Sequence, residues 1–196
     1  MNYLAHALMT PPGDAMLLAG HVLGDYFKGR PSESFPLGLR KAIWLHRQVD
    51  AFSDSHPAHK RIREVLQNTG RFRGIFTDVL VDHLLVSDTR LFPFRSDFLR
   101  FIQSLRQVLR VLEPYVPPAR RNHFLHICAR GWLEAYRDEE QFREIIRRLC
   151  GRFGINKDQK AYWDLILQST EECRELAWSL FTEGREFVNH LLFKDF

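Results

Sequence analysis

The sequence predicts an all-α protein, a single domain of about seven or eight helices spanning residues 1–196. Three observations carry this. Apolar residues recur at helical spacing over long runs, most clearly in residues 96–113, with Phe98, Phe101, Ile102, Leu105, Val108, Leu109 and Leu112. Glycine and proline fall between those runs, at Pro11-Pro12-Gly13, at Gly29-Arg30-Pro31 and at Pro117-Pro118. No run alternates at strand period beside a hairpin turn, and there is neither an internal repeat nor a low-complexity tract.

Taken in order, residues 1–9 are short and mostly apolar, with His6 inside them. Residues 14–27 read as a helix whose apolar face is Met16, Leu17, Leu18, Val22, Leu23, Tyr26 and Phe27, with His21 and Asp25 one turn apart on it. Gly29 and Pro31 stand where a helix end wants them. A second long helix is expected over 38–53, another from Pro57 to Gln67, and a third over 75–87 after the basic loop Gly70–Gly74. Residues 119–135 and 139–150 read as two more, and a last helical stretch covers about 159–193.

The chain is long enough to bury a real core, and 45% hydrophobic with 27% charged residues places it among globular proteins. Lys and Arg exceed Asp and Glu by 28 to 24, a mild excess compatible with an acidic partner. The basic residues are not gathered into a run, which argues against nucleic acid as the partner. Cys128, Cys150 and Cys173 are odd in number and widely spaced, implying a reducing compartment and no zinc finger. With no secretory leader and no apolar window approaching 18 residues, the expected location is the cytoplasm, without a membrane span. Oligomeric state is not legible.

Chemistry concentrates between His46 and His83. His46 and Asp50 are four apart, as are Asp78 and Asp82, with His83 adjacent, so two facing helices would gather imidazoles and carboxylates around one point. Each residue has an ordinary reading: a surface His–Asp pair, a core histidine, a helix-end carboxylate at Asp25. The conjunction of His6, Asp25, His46, Asp50, Asp82 and His83 in apolar helical segments is less ordinary, because such groups are costly there unless paired or metal-bound. Oxygen and nitrogen donors without thiolate suit Mn²⁺, Mg²⁺ or Fe²⁺ better than structural zinc. Lys28, Arg30, Arg40, Lys41 and Arg47 bracket the acidic set and offer cations for phosphate or for an acidic partner, or simply a solvated face. The P-loop, dinucleotide-binding and serine-elbow motifs are absent.

These residues resemble a known family. The opening Met-Asn-Tyr-Leu-Ala-His, then Gly20-x-x-x-Gly24-Asp25-x-x-Lys28-Gly29-x-Pro31, are similar to the acyl-carrier-protein phosphodiesterases. So are Gly38-x7-His46-Arg47-x-Val49-Asp50-x3-Asp54-x2-Pro57, Asp78-x3-Asp82-His83-x-Leu85, Trp132 and Tyr136-Arg137-Asp138. The resemblance runs from residue 1 to about 140. It implies removal of the 4′-phosphopantetheine arm from holo acyl carrier protein and a divalent cation, Mn²⁺ favoured. It also implies an HD-phosphohydrolase-like fold, although the adjacent pair here is Asp82-His83, reversed from the HD order.

On that reading Asp25, His46, Asp50, Asp82 and His83 hold the metal, directly or through water. His6 or His21 supplies the leaving-group proton, and Lys28, Arg30, Arg47 and Arg40 face phosphate or carrier. The competing expectations are an HD-like nucleotide phosphohydrolase and a helical binding module for an acidic protein without turnover.

Overall fold

The structure is a computed structural model describing residues 2–155, 159–168 and 170–194. Among the described residues every regular element is helical. α1 (Tyr3–Met9), α2 (Ala15–Val22), α3 (Leu37–Ser55), α4 (Pro57–Val65), α5 (Arg73–Ser87) and α6 (Arg95–Leu109) form the first two-thirds. α7 (Arg121–Cys128), α8 (Glu139–Arg152), α9 (Gln159–Gln168) and α10 (Thr170–Lys194) complete it, with short 3₁₀ turns between. The all-α class is as expected, and the ten α-helices among the described residues exceed the expected seven or eight. The excess arises at both ends: the opening segment is itself helical, and the stretch 159–193 comprises α9 and α10, with residue 169 outside the described residues.

Local chemistry sets the boundaries. Asp14 caps α2, its carboxylate accepting from the Met16 and Leu17 amides at 2.8 and 3.0 Å. The α4 start is capped by the His56 ring, which accepts from Ala58 N, with Pro57 at the first helical position. Asp138 caps α8 through Gln141 N. The helix expected over 14–27 stops at Val22 and continues as a 3₁₀ turn, Gly24–Tyr26. Gly24 explains the change: a Cβ there would meet the His46 ring and Cβ at 2.3–2.7 Å, so backbone packs directly on imidazole. Likewise a Cβ on Gly20 would meet Ala42 Cβ at 2.5 Å, and this closeness lets α2 cross hard against α3.

α5 is the central helix. Phe76, Val79, Leu80, Val81, Leu84, Leu85 and Val86 are all buried, so apolar residues occupy most of its circumference. α1, α4 and α10 pack around it, and α10 also covers α3. One apolar cluster runs through the whole described chain, from Leu4 to Val188. The three cysteines are buried and unpaired, and burial raises each thiol pKa, so all three pack as small apolar groups. Among the described residues no helix is long and apolar enough to cross a membrane.

Candidate metal centre

The centre lies where α1, α2 and α3 meet. His46 and Asp50, one turn apart on α3, touch: His46 Nε2 lies 3.1 Å from Asp50 Oδ2. His6 of α1 brings its Nε2 to 3.2 Å from the other oxygen, Asp50 Oδ1, and its ring stacks on His46 with centroids 4.3 Å apart. Donor atoms of His6, His46 and Asp50 all fall within 4.8 Å of one another. His21 stands behind His6, its Nε2 3.0 Å from His6 Nδ1.

The proton positions follow from the partners. His46 Nδ1 faces the backbone carbonyl of His21 at 2.8 Å, an atom that only accepts, so Nδ1 carries the proton. Thr10 gives its single hydroxyl proton to the His6 carbonyl at 2.8 Å and therefore accepts from His21 Nδ1 at 2.7 Å. That leaves His21 Nε2 to accept from His6 Nδ1–H. Burial first, then the neighbouring His46, pushes the His6 pKa down to about 4, although Asp50 pulls the other way. Burial, followed by His6 and His46, puts His21 well below the usual imidazole range. Both rings are therefore neutral near pH 7 and His6 Nε2 presents a lone pair; with Nδ1 protonated, the neutral His46 imidazole offers its lone pair at Nε2.

Two imidazole lone pairs thus converge on the two oxygens of one carboxylate. Such a set repels itself unless a cation sits among the donors. His46 Nε2 is buried and makes no aligned hydrogen bond despite its 3.1 Å approach to Asp50, which leaves it available to a cation. The donor set fits a divalent cation: donors held about 2.0–2.2 Å from a metal lie roughly 3–4.4 Å apart, and each imidazole is fixed by a hydrogen bond from its far nitrogen. The side chains of His6 and His46 are 1% and 5% exposed and that of Asp50 35%, so the centre opens to solvent on the Asp50 side.

This arrangement joins the sequence motifs to comparisons with known proteins. The family model described as acyl carrier protein phosphodiesterase matches residues 1–183. The chain belongs to that family. It is a family of phosphoric diester hydrolases. Curated relatives named acyl carrier protein phosphodiesterase include one from Enterobacter sp. (strain 638), 26% identical over 78% of this chain and 79% of the relative. Two more, from Escherichia coli O45:K1 and O139:H28, are 29% and 28% identical over the same shares. No solved structure matches the chain.

Of the sequence-derived site residues, His6, His21, His46 and Asp50 come together. Asp25 stands at the open rim: it is exposed and bonds Lys28 at 2.7 Å. Burial pushes its pKa up, but the Lys28 hydrogen bond and nearby His46 turn the net shift downward. The expected His21–Asp25 pairing on one helix fails because α2 ends between them, burying one and exposing the other.

Asp82 and His83, expected among the ligands, are held elsewhere. Both Asp82 oxygens accept backbone amides, from Leu4 at 3.0 Å and Ala5 at 2.8 Å, so a carboxylate of α5 caps the start of α1. His83 Nδ1 donates to the Tyr136 carbonyl at 2.7 Å, and its ring stacks on Phe142 at 3.9 Å. His21, expected as a proton donor, is fully buried with both nitrogens engaged, by His6 and by Thr10.

The cations divide as well. Arg47 donates to the Phe27 and Gly29 carbonyls and holds the loop below Asp25. Arg30 pairs with Glu33 on the surface, and Arg40 is half-buried. Thr10 was not singled out by sequence, although it sits one turn after His6 and sets the proton positions of His21 and, through it, of His6.

Proposed function

We propose that this chain hydrolyses the phosphodiester joining 4′-phosphopantetheine to the serine of holo acyl carrier protein, returning the apo carrier. The family supports the reaction class, and the convergence of the His6 and His46 lone pairs on both oxygens of Asp50 supports a divalent cation, Mn²⁺ favoured, at its heart. His6, His46 and Asp50 would hold the cation, with Asp25 completing the set directly or through water. When bound, the cation lowers the pKa of a water and offsets charge on the phosphodiester oxygens.

The protein's own part is largely orientation. Thr10 and His21 hold His6 in the tautomer that leaves Nε2 free, and the His21 carbonyl does the same for His46. Lys28, at the rim with Asp25, would neutralise a phosphodiester oxygen. The bond from phosphorus to the serine oxygen breaks as the bond to the water oxygen forms, and the water's proton ends on the serine. The acidic carrier would be met by the exposed cations of residues 28–47.

The deciding experiment is the intact mass of holo acyl carrier protein after incubation with this protein, with Mn²⁺ and with chelator. Loss of the arm's mass only with metal is expected. An unchanged carrier mass under both conditions overturns the reading.

A further inference from the structure

A groove of about 560 Å³ opens between α7 and α8, lined among others by His123, Trp132, Ala135, Tyr136 and Arg152. Its wall touches residues that flank the metal centre in sequence. Asn2, just before α1, donates to the Tyr136 hydroxyl at 3.0 Å. Tyr3 packs edge-on against Trp132, centroids 5.5 Å apart, and lies one helical turn before His6. The Tyr26 hydroxyl, next in sequence to Asp25, lies 2.8 Å from His123 Nδ1. Asp25 at the rim of the centre and the groove wall at His123 are thus joined through one residue, Tyr26.

The lining has a definite chemistry. Arg130 and Arg152 are exposed at its edge, and among the described residues neither makes an ion pair. Trp132 and Tyr136 give apolar faces, and His123, His126 and Gln141 give polar groups for amides. A ligand matching this is a long chain, anionic at one end and alternating apolar and amide groups along its length.

We infer that the groove seats the pantetheine arm of the carrier, its phosphate toward the metal centre and its amide chain along Trp132. The inference rests on the proposed activity, since only that activity brings the arm to this centre. It assigns Trp132 and Arg152 as binding residues, not catalytic ones.

The test compares wild type with Ala135→Trp, which fills the groove, and with Trp132→Ala and Arg152→Glu, each checked for a cooperative thermal melt. Arm release from holo carrier is followed by intact mass with Mn²⁺, alongside Mn²⁺ affinity and binding of free 4′-phosphopantetheine. For each variant that melts cooperatively we expect kcat/KM about tenfold lower or worse, weakened binding of the free arm, and Mn²⁺ affinity equal to wild type. Wild-type release with folded variants within twofold of it overturns the groove while the activity stands. If wild type releases no arm, the activity reading fails, and free-arm binding then decides: loss in Ala135→Trp supports the groove, and equal or absent binding overturns it.

Discussion

Where α1 crosses α3, His6, His46 and Asp50 turn their unused donor atoms toward one another. Between α5 and the turn at 134–138, Asp82 and His83 turn theirs to the backbone. The residue types are the same and both groups lie in helices with apolar neighbours. The difference is what satisfies them. Asp82 is consumed by two amides and His83 by a carbonyl and a stacked phenyl ring, and the neighbouring motif serves the same scaffold. Arg137 donates to the Val86 and Phe92 carbonyls after α5, and Asp138 caps α8. In the first region the His21 ring and the His21 carbonyl satisfy only the far sides of the His6 and His46 imidazoles, leaving the near sides facing a carboxylate. A histidine or aspartate is available as a ligand here only when its scaffold bonds leave an atom over.

The largest effects should separate the two regions outright. Asp50→Asn or His46→Ala is expected to take turnover to background while helix content by circular dichroism stays at the wild-type level. Retained turnover in both would erase the distinction. Thr10→Val removes the group that fixes the His21 and His6 tautomers, and Mn²⁺ affinity by titration should fall roughly 10–100-fold. An unchanged affinity would mean that Thr10 does not set the proton positions.

The second region should answer in stability. Asp82→Ala leaves the Leu4 and Ala5 amides buried without an acceptor, at about 1–3 kcal/mol for each, read as a lower denaturation midpoint. Burial pushes the Asp82 pKa up to about 7 even though the two amides pull it down. The folded state thus holds this proton more tightly than the unfolded chain, and the Asp82 contribution to stability should decline as pH rises from about 4 to about 7. The difference between wild type and Asp82→Asn, followed by denaturant titration across that range, isolates the slope; a flat difference contradicts it. The smallest effect belongs to His83, whose pKa burial lowers to about 4. Its contribution is complete above about pH 6.5 and lost as pH falls through 4, and His83→Gln should weaken that acid sensitivity at a cost of about 1 kcal/mol, with turnover kept.

The helices were legible because apolar spacing and Gly/Pro breaks are local signals, and α3 and α6 fall close to the residues expected. The His46–Asp50 contact was legible for the same reason: one turn of helix decides it. The partner helix was not. Residues 46–50 were expected to face 78–83, whereas they face α1 and α2, because Gly20 and Gly24 admit an approach that spacing along one helix does not reveal. Nor could sequence tell that Asp82 would cap α1, since its acceptors' partners lie 77 and 78 residues away. The His21–Asp25 spacing misled because a 3₁₀ turn replaced the final helical turn.

The most direct test is Mn²⁺ binding to four purified proteins: wild type, Asp50→Asn, Asp82→Asn and His83→Gln. The account predicts that wild type and the Asp82 and His83 variants bind the metal with similar affinity while Asp50→Asn does not. Binding retained by Asp50→Asn and lost from Asp82→Asn or His83→Gln would place the metal in the other region and contradict it.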